Sequence, residues 1–280
     1  MMPPRGYLLC CVERTGSNLL AEALTGTGMA GRPLEYFNPA EQDQPWMKDI
    51  LNGSSLVIGL TKILNAGTTS NGVFAAKCHW SHFRHLGMLI SCEWNEAQRT
   101  AMYAMLISQL PNLLSNDAAY AILAPHFSHL REHTRAYEFL QSYLPDLGII
   151  WLRRRNMIAR AISHFRAKRT GIWYKASSSA GSIEPEHAFD LEEIHTLYLH
   201  GCFQEEMWRQ FFKLHEISPY VVHYEGLVAH YDSTVREALQ FLQVDIGEMA
   251  IPRPVALKQA DALSEEWEQR YRQWRMESGL

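Results

Sequence analysis

The stretch YLLCCVERTGSNLLAEALTGTGMAGRPLEYF, Tyr7–Phe37, runs from an apolar segment through a glycine turn into an amphipathic one. Tyr7–Val12 is a short apolar run of the kind that suits a buried strand. Leu19–Thr27 places Leu19, Leu20, Ala23 and Leu24 at helical spacing and meets Gly26 and Gly28, which end helices well. Between them lie Arg14, Thr15, Gly16, Ser17 and Asn18. A strand, a tight turn and a helix start bring several unpaired backbone N–H groups to one point. The helix dipole adds positive potential there. Arg14 contributes a permanent charge, and Ser17 and Asn18 contribute side-chain donors. The turn therefore reads as a phosphate cradle. An ordinary βα turn, whose Ser and Asn only cap the helix, fits the same residues equally well. A Walker A loop does not fit: it requires a Gly-Lys pair, and Gly16 is followed by Ser17.

Outward from this stretch, the chain has 280 residues, enough for one large core. We expect a single domain over 1–280. The formal charge of −4 argues against a general nucleic-acid binder, which needs a basic surface to release counterions. Positive charge is concentrated instead at Arg153, Arg154, Arg155, Arg160, Arg166, Lys168 and Arg169. That concentration suits a discrete anionic ligand. The five cysteines have no Cys-x-x-Cys spacing, and Cys10 and Cys11 fall inside the first strand on opposite faces. Free buried thiols in a reducing compartment are the simplest account. No segment approaches the ~20 continuous apolar residues of a membrane span, and no signal peptide is evident. The chain reads as cytoplasmic.

Further along, Glu41–Leu51 and Trp94–Leu110 read as helices, and Leu56–Leu64 fits a helix or a strand, with Ser55 as a candidate N-cap favouring the helix. Gly72–Lys77 reads as a second strand. Ala118–Tyr143 reads as helical on both sides of Pro125. A third strand, Leu147–Leu152, runs into Arg153–Asn156 and a helix from Met157 to Arg169. Lys175–Pro185 lacks core-forming residues and reads as a loop. Asp190 opens a long helix with a buried stripe of Leu191, Ile194, Tyr198, Cys202, Met207, Phe211 and Leu214. Tyr220–His223 is a fourth strand, Thr234–Leu242 a helix, and Ser264 caps a last helix carrying Trp267, Tyr271 and Trp274. Strands alternating with helices imply an α/β fold with a mostly parallel sheet flanked by helices. Such sheets bind ligands beyond their strand C-termini, where both charged turns lie.

Arg155 and Ser163 are separated by roughly 12 Å of helix rise, so both reach one phosphate only if the arginine runs back along the helix. A solvated basic helix face is the simpler account of the pair by itself. Two histidine sets, His79, His82 and His85, and His126, His129 and His133, could sketch zinc sites. Neither comes with a cysteine or carboxylate at a spacing typical of zinc. Satisfied or exposed histidines are the expected reading, and nothing decides whether His164, beside Ser163, faces a ligand.

Arg14–Ser17 after the first strand, with Arg155–Asn156 and Ser163 after a later one, resembles the two cofactor-phosphate motifs of sulfotransferases, enzymes that use 3′-phosphoadenosine 5′-phosphosulfate (PAPS). More narrowly, the chain resembles the bacterial trehalose 2-sulfotransferase family. The matching pieces are ERTGSNLLAEALTGTGMAGRPLEYF (Glu13–Phe37), NGVFAAKCHW (Asn71–Trp80), RRRNMIARAISHFRA (Arg153–Ala167) with Trp173, and KQADALSEEWEQRYR (Lys258–Arg272). The resemblance implies a P-loop-like sulfotransferase architecture and a carbohydrate acceptor. It places the 5′-phosphosulfate on Arg14, Thr15, Gly16, Ser17 and Asn18, and the 3′-phosphate on Arg155 and Ser163. Glu35 falls at the general base, and the segment from Lys258 and Gln259 to Asp261 falls near the cofactor. No metal is required. The family further suggests a homodimer. Asn18 stands where the family usually has Thr or Ser, and the stretches Asn38–Ser70 and Lys175–Pro185 show no match. Two other classes stay open on the residues alone: a small-molecule kinase with a degenerate phosphate loop, and a catalytically inactive nucleotide-binding protein.

Overall fold

The computed structural model describes residues 5–38, 56–91, 130–173, 188–253 and 261–279. The chain begins with β1 (Arg5–Cys11) and α1 (Ser17–Gly26), followed by α2 (Leu56–Gly67), β2 (Val73–His79) and α3 (Trp80–Ser91). Then come α4 (Arg131–Tyr143), β3 (Leu147–Arg153), α5 (Met157–Thr170) and α6 (Leu191–Leu214). β4 (Tyr220–His223), α7 (Tyr224–Ala229), α8 (Tyr231–Phe241) and α9 (Ala262–Glu277) complete the described elements. The expectations for Glu41–Leu51, Trp94–Leu110 and Lys175–Pro185, together with Ser55, His126, His129, Lys258 and Gln259, lie outside the described residues.

The four strands form one sheet in the order β2-β1-β3-β4, and every pairing is parallel. The expected α/β class with helices flanking a parallel sheet is what the chain adopts. Because side chains alternate along a strand, β1 feeds two cores. Leu8, Cys10 and Val12 pack with Phe74, Cys78, Trp151 and the aromatic residues of α3, α4 and α6. Tyr7, Leu9 and Cys11 face Leu20 and Leu24 of α1 and Val235 and Leu239 of α8 on the other side. A third cluster ties α5 and α6 to α9 through Phe165, Ile194, Trp267 and Tyr271.

The chain leaves β1 toward β2 on one side and later returns to β3 on the other. The crevice beyond the C-terminal ends of β1 and β3 is thus a topological switch point, where such sheets take ligands. Both turns singled out in the sequence open into it.

Three local readings are corrected. The last helix is capped by Asp261, whose carboxylate accepts from the Ser264 N–H at 3.0 Å; Ser264 is the capped residue. Leu214 ends the α6 stripe 58% exposed, because Phe211 and Phe212 already fill the core side of that turn. Helices α3 and α7 stand where the sequence reading places no helix, and the six residues of α7 carry too little periodicity to register.

Candidate active site

Arg14 sits in the left-handed region (φ 65°), as does Gly16 (φ 85°), and the chain turns there from β1 into α1. A Cβ added at Gly16 would collide with Cδ2 of the Tyr224 ring, so glycine is required on two counts. The Thr15 hydroxyl is buried and donates to the Val12 carbonyl at 2.7 Å, locking the turn from inside. Thr15 can therefore offer an anion its backbone N–H, while its hydroxyl is committed. No acidic residue occupies the first turn of α1, and no side chain caps it. Its leading N–H groups remain available to a ligand anion.

The turn is tied to the β3–α5 unit. Arg14 Nε donates to Ser163 Oγ at 3.0 Å, and its Nη1 donates to the Trp173 carbonyl. Arg154 donates to the Arg14 carbonyl at 3.1 Å and lies over the Tyr224 ring, 4.7 Å from its centroid. Burial, and then the neighbouring Arg154, pull the Arg14 pKa down to about 10, which leaves it cationic at neutral pH.

Most of the positive charge concentrated along Arg153–Arg169 is paired within the fold rather than offered to a ligand. Arg153 pairs with Glu205 at 2.6 Å, Arg166 with Asp261 at 2.6 Å, Lys168 with Glu193 at 2.7 Å, and Arg169 with Glu193 at 2.6 Å. Arg160 is wholly buried and donates to the Leu197 carbonyl. The Arg153 pair ties β3 to α6, and the other charges hold α5 in place. Arg155 differs: its backbone N–H and that of Asn156 donate to Glu225 at 3.0 and 3.1 Å. Its exposed guanidinium has no hydrogen bond or ion pair among the described residues. The turn after β3 is held by its backbone, and that cation is exposed at the strand end. No hydrogen bond joins Arg155 to Ser163.

Glu35 reaches the site by a route that spacing does not reveal. Leu34 forms a parallel bridge with Ala76, and Lys77 N–H donates to the Leu34 carbonyl at 2.9 Å, so this short segment runs beside β2. Glu35 Oε1 then lies 2.8 Å from Lys77 Nζ and 3.9 Å from His79 Nε2, while Oε2 accepts from Asn38 Nδ2 at 2.9 Å. Lys77 also donates to Asn18 Oδ1, linking the carboxylate directly to the anion turn. Burial works to raise the Glu35 pKa, but His79 and then Lys77 outweigh it and hold it at about 2. Behind His79, Glu13 Oε1 lies 3.8 Å from Nδ1, and Gln204 donates to Glu13 Oε2 at 3.0 Å. Burial disfavours the imidazolium of His79, yet Cys11, Glu35 and Glu13 raise its pKa to about 9. His82, against His79 with ring centroids 4.7 Å apart, is pushed down to about 3 by burial and then by that neighbour.

The structure thus brings Arg14, Gly16, Asn18, Glu35 and Ser163 to one crevice. It adds Lys77, Glu13, His79, Arg154, Tyr224 and Glu225, which the sequence reading did not assign. A lone lysine following the apolar run Val73–Ala76 of β2 was the available signal for Lys77. The reading of the histidines as satisfied or exposed is corrected for three of them. His79, His82 and His133 are buried, and His79 Nε2, His82 Nδ1 and His133 Nδ1 have no hydrogen-bond partner. His164 is also buried, edge-on to Trp173 at 5.6 Å between centroids.

A family model described as Stf0 sulphotransferase matches residues 6–92 and 120–274. The trehalose 2-sulfotransferase of Mycolicibacterium smegmatis is 26% identical over an alignment 300 positions long, gaps included, covering 99% of this chain and 98% of that protein. The trehalose 2-sulfotransferase of Mycobacterium tuberculosis is 25% identical, covering 96% of this chain and 94% of that protein. Among solved structures, a sulfotransferase from Alicyclobacillus acidocaldarius aligns with 98% of this chain and 92% of that chain, at 12% identity and a TM-score of 0.45. Matched by the family model along most of its length, this chain belongs to the Stf0 sulphotransferase family.

Proposed function

We propose that the protein transfers the sulfo group of PAPS to a hydroxyl of a trehalose-like sugar or glycolipid, with Glu35 as general base. The observation that carries the reading is the Glu35–Lys77–Asn18 connection, which fixes a half-buried, ionised carboxylate beside a turn suited to anions. PAPS supplies a sulfo group already attached to a phosphate leaving group. The names of the two mycobacterial relatives support a trehalose-like acceptor for this chain.

Glu35 takes the proton of the acceptor hydroxyl as that oxygen bonds to sulfur. The bond from sulfur to the 5′-phosphate oxygen breaks, and its electron pair leaves with the phosphate. Arg14 and the N–H groups of residues 15–18 face the oxygen on which that charge develops. Arg155 and Ser163 hold the 3′-phosphate; Ser163 Oγ accepts from Arg14 and keeps its own O–H to donate. A carboxylate held at about 2 is a weak base in the ground state. Its task is to be ionised, positioned and ready as the hydroxyl acidifies on attack.

The test is sulfo transfer from labelled PAPS to trehalose by wild type and Glu35→Gln. General-base catalysis is worth about 10²–10⁴-fold, so the variant should lose that much in kcat while still binding adenosine 3′,5′-bisphosphate. A variant with full turnover contradicts the assignment. On this reading the protein works in a reducing cytoplasm as a single domain, paired as a homodimer.

A further inference from the structure

We propose that Glu35, His79 and His82 form a binding site for a divalent transition-metal ion of the zinc class. One oxygen of Glu35 and one nitrogen of each histidine lie within 4.8 Å of one another. Two imidazoles and a carboxylate, with a fourth position open to water, are a donor set that zinc accepts.

Several features mark this as more than proximity. Both histidines are over nine-tenths buried, and each keeps a ring nitrogen without a hydrogen-bond partner. Leaving such atoms unpaired costs free energy, which a metal ion would recover. Their frame is rigid: His79 ends β2, His82 lies in the first turn of α3, and Glu35 is bridged to β2 through Leu34. Outer partners are also in place. Glu13 faces the far nitrogen of His79 at 3.8 Å, and Asn38 holds the second oxygen of Glu35 at 2.9 Å. A carboxylate behind a ligating imidazole is the arrangement that orients histidine toward zinc. Zinc–ligand distances near 2.0–2.1 Å require the three donors to close to about 3.4 Å apart, a matter of side-chain rotation. Lys77 must yield the Oε1 it now shares at 2.8 Å, and His79 must release one of its two ring protons to solvent as the ion binds, which sets this site apart from a dedicated structural zinc centre. The ion is therefore an exchangeable ligand of the resting enzyme, and by engaging Glu35 it blocks the base. That inhibitory consequence rests on the proposed function; the binding itself does not.

The experiment is calorimetric titration of Zn²⁺ into the chelator-treated full-length chain, without donor or acceptor, alongside the visible spectrum of the Co²⁺ form. One ion per chain is expected, with a tetrahedral Co²⁺ band. His82→Ala and Glu35→Gln should each weaken binding by more than about 10-fold, the loss seen when even an outer partner is removed. His85→Ala, a neighbouring histidine outside the cluster, should leave it unchanged. Absence of stoichiometric binding, or equal sensitivity to His85→Ala, overturns the proposal. Stoichiometric binding that leaves sulfo transfer at full rate keeps the metal site and counts against Glu35 as the base.

Discussion

Arg14 Nε donates to Ser163 Oγ across 3.0 Å, joining the turn after β1 to the helix after β3. The two segments are 149 residues apart in the chain, and their contact makes one crevice of two strand-end turns. Arg14→Ala removes a charged donor, so adenosine 3′,5′-bisphosphate should bind about 10- to 100-fold more weakly by calorimetry. Ser163→Ala should cost less. Because the side chains touch, the double variant should lose less than the two single losses combined. Strictly additive losses would separate Arg14 and Ser163 into independent sites.

Gly16 is the point at which the turn is most constrained. Gly16→Ala places a Cβ against Tyr224 and forces an L residue into φ 85°. Backbone strain of this kind costs about 1–3 kcal/mol, and the clash adds to it. Urea unfolding should show the loss, and Tyr224→Ala in the same chain should recover the steric part only. Full recovery would mean that the backbone conformation carries no penalty.

The strand–turn–helix at Tyr7–Phe37 and the unit from Leu147 to Arg169 were legible because burial, turn and helix signals follow one another within a few residues. The charge pattern was not. Arg166, Lys168 and Arg169 read as a ligand-binding concentration, but their partners Asp261, Glu193 and Asp190 come from distant segments. Glu35 was reached through family resemblance, since no local pattern shows that residues 34–35 run beside β2. The same non-local bridge explains why His79 and His82 seemed to lack a carboxylate. Spacing along one segment cannot reveal a third ligand supplied by another.

Arg160 lies wholly buried between β1 and α6, with Glu13 its leading favourable charge partner. Removing one member of a buried charged set leaves the other uncompensated, a loss of about 3–5 kcal/mol. Arg160→Met should therefore destabilise the fold by that order in chemical denaturation. A change below about 1 kcal/mol would show that Glu13 is balanced by His79 alone.

His133 stacks on Trp80 with ring centroids 3.5 Å apart, and its Nε2 donates to the Trp80 carbonyl at 3.1 Å. Burial lowers its pKa from 6.5 to about 3. Between those values the unfolded chain holds a proton that the folded chain does not. The stabilising contribution is full above pH 6.5 and declines as pH falls toward 3, by up to about 1.4 kcal/mol per pH unit. Urea unfolding between about pH 7 and pH 4 should show a steeper acid loss for wild type than for His133→Phe. Parallel curves would mean that His133 is protonated in the folded state.

The most direct measurement is a crystal structure of the protein with adenosine 3′,5′-bisphosphate. The expected density puts the 5′-phosphate on the turn from Arg14 to Asn18 and the 3′-phosphate between Arg155 and Ser163, with the Glu35 carboxylate facing the position a sulfo group would occupy. A nucleotide that leaves either turn vacant, or a Glu35 directed away from the 5′-phosphate, would contradict the account.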